Sequence, residues 1–298
     1  MKYVKTSSAR YPDVDARVVG MGDRAMIWGV INWVLLAGVL AVNVLSVVLP
    51  LNGRTAGEIA DSFHVLFEPA AYAFSIWGLI YLALLAFAVY QLLPSQRDNP
   101  RVRATDGLFA ATCLANAGWL FAWHFGSYIL SMVAILVLLF ALSAIYLFQR
   151  NEECRKTNPK WSERLFVLVP FSLYLAWICV SAIANAAALL PWAGFTGMGV
   201  SAMGWAVIFS FLTAVLSVFM SLRHRELVFP AVVIWALGGE IIRQSRLQEI
   251  VVGCVVAIGA VVVGAIAGLL FGRRPYLTAG VLQRTGAPRS SARSPTGY

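Results

Sequence analysis

The sequence predicts an all-α, polytopic transmembrane helix bundle of about eight spans, with the N-terminus and the C-terminus both cytoplasmic. Three observations predict it. Of 298 residues, 60% are apolar and only 12% charged, about half the charged share of an ordinary soluble domain. The apolar residues gather into runs near the roughly 20 residues that cross a hydrocarbon core, with the charges concentrated between them. Runs such as Ile31 to Leu49 and Val251 to Phe271 carry no charged face, whereas the helices of a soluble bundle alternate polar and apolar faces. The ten-residue in–out alternation of a membrane β-barrel is not visible.

Taken in order, the spans read as 26–50, 69–94, 107–125, 128–149, 165–190, 200–221, 227–242 and 250–271. The first apolar run, Met26 to Pro50, is longer than the apolar stretch of a removable leader and so reads as a span. Placing the N-terminus inside puts twenty Lys and Arg in cytoplasmic segments and only Arg54, Arg243 and Arg246 on the opposite side. That asymmetry sets the orientation and accounts for the net charge of +9 without a nucleic-acid partner. The seventh run is the short one, and it contains Pro230 and Gly238-Gly239 and ends at Glu240. It reads as a tilted span, a re-entrant segment or a helix that unwinds in its last turn. Eight spans are preferred because seven would place the five C-terminal arginines outside.

The chain thus divides into a cytoplasmic segment 1–25, a five-helix bundle 26–190, three further helices 191–272, and a basic tail 273–298 rich in Ser, Arg, Gly and Pro that reads as disordered. The expected location is the cell inner (plasma) membrane, multi-pass. Between the first two spans, Pro50-Leu-Asn-Gly53 reads as a turn, and Thr55-Ala-Gly-Glu58 has capping-box spacing. A helix from Ala56 to about Leu66 follows, lying on the membrane surface or covering a cavity mouth.

Ionisable residues within the spans are few: Glu68, His124 and Glu240. No span has a central lysine, which argues against a retinal Schiff base, and His64, His124 and His224 do not form a facing pair for haem. Glu68 and Glu240 are candidates for a gate or proton site, and near the interface Glu240 can instead simply snorkel or pair with Arg243. Asn32, Asn43, Asn116 and Asn185 need partners in hydrocarbon, either a neighbouring helix or a ligand. Phe74, Trp77 and Tyr81 share one helical face on which a flat apolar ligand can stack or neighbouring helices pack. Trp119, Trp123 and Trp177 sit in helices that also carry interior-type polar or small residues. Cys113, Cys154, Cys179 and Cys254 show no metal or disulfide spacing. No phosphate loop, zinc motif or nucleophile elbow is present, so enzyme status is unsupported, and no cofactor or metal is implied.

Three segments form a recognisable set. Residues 69–81, PAAYAFSIWGLIY, residues 114–125, LANAGWLFAWHF, and residues 174–185, YLAWICVSAIAN, resemble the second-, third- and fifth-helix motifs of the tryptophan-rich sensory protein and translocator protein family, also called the peripheral benzodiazepine receptor family. The resemblance covers roughly 27–190. It implies a five-helix bundle whose pocket opens toward the loop between the first two helices, in a family that binds porphyrins, sterol-like molecules and synthetic aromatic ligands. By that resemblance Phe74, Trp77 and Tyr81 line one wall, Asn116 and Trp119 another, and Trp177 with Asn185 the fifth-helix wall. Departures exist: Glu68-Pro69 stands where the family has a basic residue before proline, Ala70-Ala71-Tyr72-Ala73 replaces a tryptophan and proline pair, and Leu173 replaces a proline. With Glu58 and Asp61 nearby, the mouth reads as acidic and less suited to a porphyrin carboxylate.

The function expected is non-covalent binding or sensing of a hydrophobic, aromatic small molecule, tetrapyrrole-like or sterol-like. A secondary transporter of a small metabolite and a structural membrane protein without a ligand are the alternatives. Membrane lipid is the expected partner, and the sequence leaves homo-oligomer formation open.

Overall fold

The structure is a computed structural model that describes residues 14–49, 51–63, 65–155 and 158–272. The segment before Val14, the basic tail from 273, Pro50 and His64 lie outside the described residues. The described residues form an all-α bundle without a strand. Its long helices are α1 (Val14–Val48), α2 (Ile76–Gln91), α3 (Leu108–His124), α4 (Tyr128–Phe148), α5 (Val169–Trp192), α6 (Ala202–His224), α7 (Val228–Arg243) and α8 (Gln248–Phe271). Six helical segments among the described residues are long and apolar enough to cross a membrane; α3 and α7 are not among them. At 17 and 16 residues, α3 and α7 extend about 24–26 Å at 1.5 Å per residue, short of a hydrocarbon core of about 30 Å.

Hydrogen bonds between loops sort the helix ends into two groups. At one end, Arg101 pairs with Glu163 at 3.2 Å and bonds the Cys154 carbonyl, and Arg150 pairs with Glu226 at 3.0 Å. At the other end, Asn52 donates to the His124 carbonyl at 3.0 Å, Trp123 to the Ala56 carbonyl at 3.1 Å, and Gln244 to the Leu66 carbonyl at 2.9 Å. Each helix from α2 to α8 therefore runs from one end to the other, opposite to its neighbour in sequence. The arginine-bearing loops 95–106, 150–164 and 222–226 share one end, the feature that the charge count anticipates.

α5 and the turns leading into it are the centre of the bundle: 67% of the most apolar window of Trp161–Trp192 is buried, against 22–33% in the other five candidate spans. The asparagines tie helices together, because an amide in an apolar interior must find a partner. Asn32 of α1 donates to Gln91 of α2 at 3.1 Å, and Asn43 donates to Asn116 of α3 at 3.2 Å, which in turn donates to the Tyr174 hydroxyl of α5 at 2.8 Å. On the far side α6 and α8 pack through small residues. A Cβ at Gly264 would meet the Val218 side chain at 2.7 Å, and one at Gly268 the Ser221 carbonyl oxygen at 2.4 Å. Only glycine permits that approach, as in other close membrane helix pairs.

Three expectations change in detail. α1 begins at Val14, upstream of the expected Met26 start. The loop helix spans only Ala56–Asp61, although its Thr55–Glu58 capping box forms as expected. α7 is helical throughout and does not unwind at Gly238-Gly239. Its glycines instead bring backbone close to the start of the second span: a Cβ at Gly239 would lie 2.9 Å from the Pro69 Cβ.

Candidate functional site

A small, partly open cavity of about 80 Å³ lies between α2, α3, α4 and α5, beneath the loop that follows α1. Aromatic rings frame it. Phe74, on the 3-10 turn Ala71–Ser75 before α2, meets Trp177 edge-on at 6.1 Å, and Trp77 meets Trp177 at 6.4 Å. Trp119 stacks on Trp123 at 6.1 Å, and both line the cavity. Asn185 supplies an amide from α5, held only loosely by Ser131 at 3.4–3.5 Å. Among the expected ligand residues, Phe74, Trp77, Trp119, Trp177 and Asn185 thus share one cavity.

Tyr81 and Asn116 do not reach its wall. Tyr81 stacks on Trp77 at 5.4 Å, one turn deeper, and Asn116 is held between Asn43 and Tyr174. Tyr81 backs the Trp77 ring from behind the wall, and Asn116 ties α1 to α5 through Asn43 and Tyr174. The sequence reading also passed over Ser181, Ala184 and Ala188 on α5, which line the cavity with Trp177. The signal was available, since positions 177, 181, 184 and 188 share a helical face.

The polar inventory is unbalanced. The indole nitrogens of Trp119 and Trp177 are buried and have no hydrogen-bond acceptor in the protein, although a buried N–H ordinarily finds one. Two donors therefore reside on aromatic side chains that border an otherwise apolar space.

The roof is built by Ser62, Phe63, residues 65–70 and the short helix before them. Ala56 and Ala60 line the cavity, and Phe63 packs on Trp123 at 5.5 Å and on Tyr128 at 4.8 Å. The short helix therefore covers the cavity rather than lying apart from it. Val65 and Phe67 separate the cavity from a wider cleft of about 340 Å³ between α5 and α6.

α7 fastens this roof. Arg243 bonds Asp61 and pairs with Glu68 at 3.4 Å, Gln244 donates to the Leu66 carbonyl, the Ala70 amide donates to the Gly239 carbonyl at 3.0 Å, and Trp235 donates to the Ala73 carbonyl at 3.0 Å. Arg243 sits between two of the three carboxylates expected at the mouth, Asp61 and Glu68, and offsets part of the acidity read from Glu58, Asp61 and Glu68. Glu68 is buried at the cavity edge, and that burial pushes its carboxyl up to about 7 despite the opposing pull of Arg243.

The expected pairing of Glu240 with Arg243 does not occur. Arg243 turns to the loop, and Glu240 is buried against α6, where the Ser210 hydroxyl donates to it at 3.1 Å. Its second carboxylate oxygen has no partner in the protein. Among the described residues no cluster of His, Cys, Asp and Glu could hold a metal, and the four cysteines are unpaired.

The fold is that of a polytopic helical membrane protein, and its bundle encloses an aromatic-walled cavity. The chain belongs to the TSPO-like protein family, whose match extends over residues 29–268. That range runs beyond the residues carrying the resemblance and takes in almost all of α6 to α8. No curated protein and no solved structure matches the chain.

Proposed function

We propose that this protein binds a hydrophobic, aromatic small molecule, tetrapyrrole-like or sterol-like, without covalent chemistry, in the cavity walled by Phe74, Trp77, Trp119, Trp177 and Asn185. The observation that carries the reading is that two of the rings walling an apolar space, Trp119 and Trp177, carry buried indole N–H groups without acceptors in the protein. A ligand with a ring face and an acceptor atom meets both requirements, stacking on the walls and accepting from the indoles. Membership in the TSPO-like family supports the ligand class.

The cavity of about 80 Å³ is smaller than the roughly 300–1,000 Å³ of typical small-molecule sites. Binding therefore requires the roof to lift. Displacement of Val65 and Phe67 would join the cavity to the cleft between α5 and α6, and release of the α7 contacts would permit it. Ligand occupancy would then be transmitted to α7 as a change in roof position, a shift between two arrangements of the same contacts. In this reading all eight helices cross the membrane, with the arginine-rich end in the cytoplasm and the roof on the opposite face of the plasma membrane.

Calorimetric titration with protoporphyrin, sterols and apolar aromatic compounds tests the site. Replacing both Trp119 and Trp177 by Phe removes the two donors and is expected to weaken binding roughly tenfold or more, at about 1 kcal/mol per hydrogen bond. Affinity unchanged in the double variant would overturn the assignment.

Transport is the second reading, favoured by Glu240 with its unpartnered oxygen inside the α6–α7–α8 group. Uptake into proteoliposomes driven by a pH gradient and lost in Glu240→Gln would support it, and uptake unaltered by the substitution would remove it.

A further inference from the structure

At the arginine-rich end, a cleft of about 680 Å³ opens between the termini of α4, α5, α6, α7 and α8. Arg150, Arg164 and Arg225 line it, with Glu226 as its carboxylate. Glu226 is committed: one oxygen accepts from Arg150 at 3.0 Å, from Tyr146 at 3.2 Å and from Ser172 at 3.2 Å, and the other from the Val228 amide at 3.2 Å. It therefore neutralises Arg150 and has little left for the other two. Among the described residues, Arg164 and Arg225 bond only carbonyl oxygens, those of Pro159 and Leu269, and neither forms an ion pair. The cleft carries two positive charges that no carboxylate of the described residues balances.

A second feature adjoins it. An apolar groove of about 700 Å³ runs along the outer surface between α2, α5 and α7, and it shares Val169, Leu227 and Val228 with the basic cleft. Leu79, Leu82 and Trp235 on its walls are exposed, so the groove faces hydrocarbon wherever these helices cross a bilayer. Trp161 borders the cleft with 77% of its surface exposed, a position suited to the headgroup level.

We infer that this seam is a binding site for an anionic phospholipid, its phosphate held by Arg164 and Arg225 and one acyl chain lying in the groove between α2, α5 and α7. An acyl chain alone fills any lipid-facing groove without selection. Selection arises because the groove ends at two guanidinium groups, which present planar donors to phosphate. A lipid seated there bridges α5 of the central bundle and α7, the helix that fastens the cavity roof. The site is separate from the aromatic cavity and does not depend on a ligand there.

The test uses the full chain in nanodiscs of phosphatidylcholine doped with phosphatidylglycerol, with retained lipid counted by native mass spectrometry. The expected result is one retained phosphatidylglycerol at a preference of roughly 30-fold over phosphatidylcholine, the value two interfacial arginines supply. Arg164→Gln combined with Arg225→Gln is expected to abolish the preference. Ala231→Phe, at an exposed groove position, keeps both charges and is expected to lose the retained lipid by filling the acyl seat. Thermal unfolding of each variant establishes that it is folded. Equal retention of the two lipids, or a preference that survives the double arginine variant, overturns the site. Competition by free glycerol phosphate at millimolar concentration overturns the lipid assignment in favour of a soluble phosphate compound, and absence of competition supports the lipid.

Discussion

Neighbouring glycines on α7 should respond in opposite directions to the same substitution. At Gly238 the one atom within 4 Å of an added Cβ is the Tyr72 hydroxyl, at 3.5 Å, an ordinary contact. Gly238→Ala therefore gains helix propensity of up to about 1 kcal/mol at little steric cost. At Gly239 the same methyl lies 2.9 Å from the Pro69 Cβ, 3.0 Å from the Ala73 Cβ and 3.5 Å from the Ala70 nitrogen. These atoms are fixed to backbone and do not swing aside, so the start of the second span must move away from α7. Overpacking of this kind costs about 1–3 kcal/mol, and stretching the hydrogen bond from the Ala70 amide to the Gly239 carbonyl adds about 1 kcal/mol. Set against the propensity gain, Gly239→Ala is expected to destabilise by about 1–3 kcal/mol, which separates the two variants by about 2–4 kcal/mol. Thermal unfolding in one detergent, followed by far-ultraviolet circular dichroism, measures the difference. Equal midpoints, or a lower midpoint for Gly238→Ala, would refute the packing of α7 on the roof segment.

Further outcomes follow from the charged groups and from α8. Because burial raises the Glu68 carboxyl from 4.5 to about 7, the folded state holds this proton more tightly than the unfolded chain, so stability should fall as pH rises from about 4.5 to 7 and then level off. Glu68→Gln should flatten that slope in midpoint-against-pH curves, and an unchanged slope would assign it to another group. Glu226→Ala strands the buried Arg150 and should destabilise by about 3–5 kcal/mol, with Glu226→Gln milder; equal stability of Glu226→Ala and the parent protein would contradict the network. Gly268→Ala drives a methyl against the Ser221 carbonyl and should cost about 1–3 kcal/mol in thermal unfolding, whereas Gly259→Ala, with open space around it, should cost nothing.

Much of the helix map was legible because membrane helices are delimited by local properties. The run from Tyr128 to Phe148 holds no charged residue, and both its ends follow from where Ser127 and Gln149-Arg150 interrupt the apolar pattern. The aromatic wall was legible for a similar reason: Phe74 and Trp77 are one turn apart, and spacing places them on one face. The partners of Arg243 were not, since Asp61 and Glu68 lie 182 and 175 residues away in sequence. Short-range reasoning offered Glu240, three residues earlier, as one possible partner, but Glu240 faces α6 and Arg243 faces the loop. Asn116 illustrates the other limit. Its residue type fits a ligand contact or an interhelical bond equally well, and the choice depends on the Tyr174 hydroxyl, 58 residues away, reaching its amide.

The central claim, an interior site for an aromatic ligand, is tested most directly by tryptophan fluorescence of the detergent-purified protein titrated with protoporphyrin, haem, sterols and apolar aromatic compounds, with inner-filter controls. The parent protein is compared with Ala184→Phe, which places a ring inside the cavity from α5. The account predicts saturable quenching at micromolar concentration by one class of compound in the parent and its loss in Ala184→Phe. Quenching that is equal in both proteins, or no saturable quenching by any compound in the panel, would contradict it.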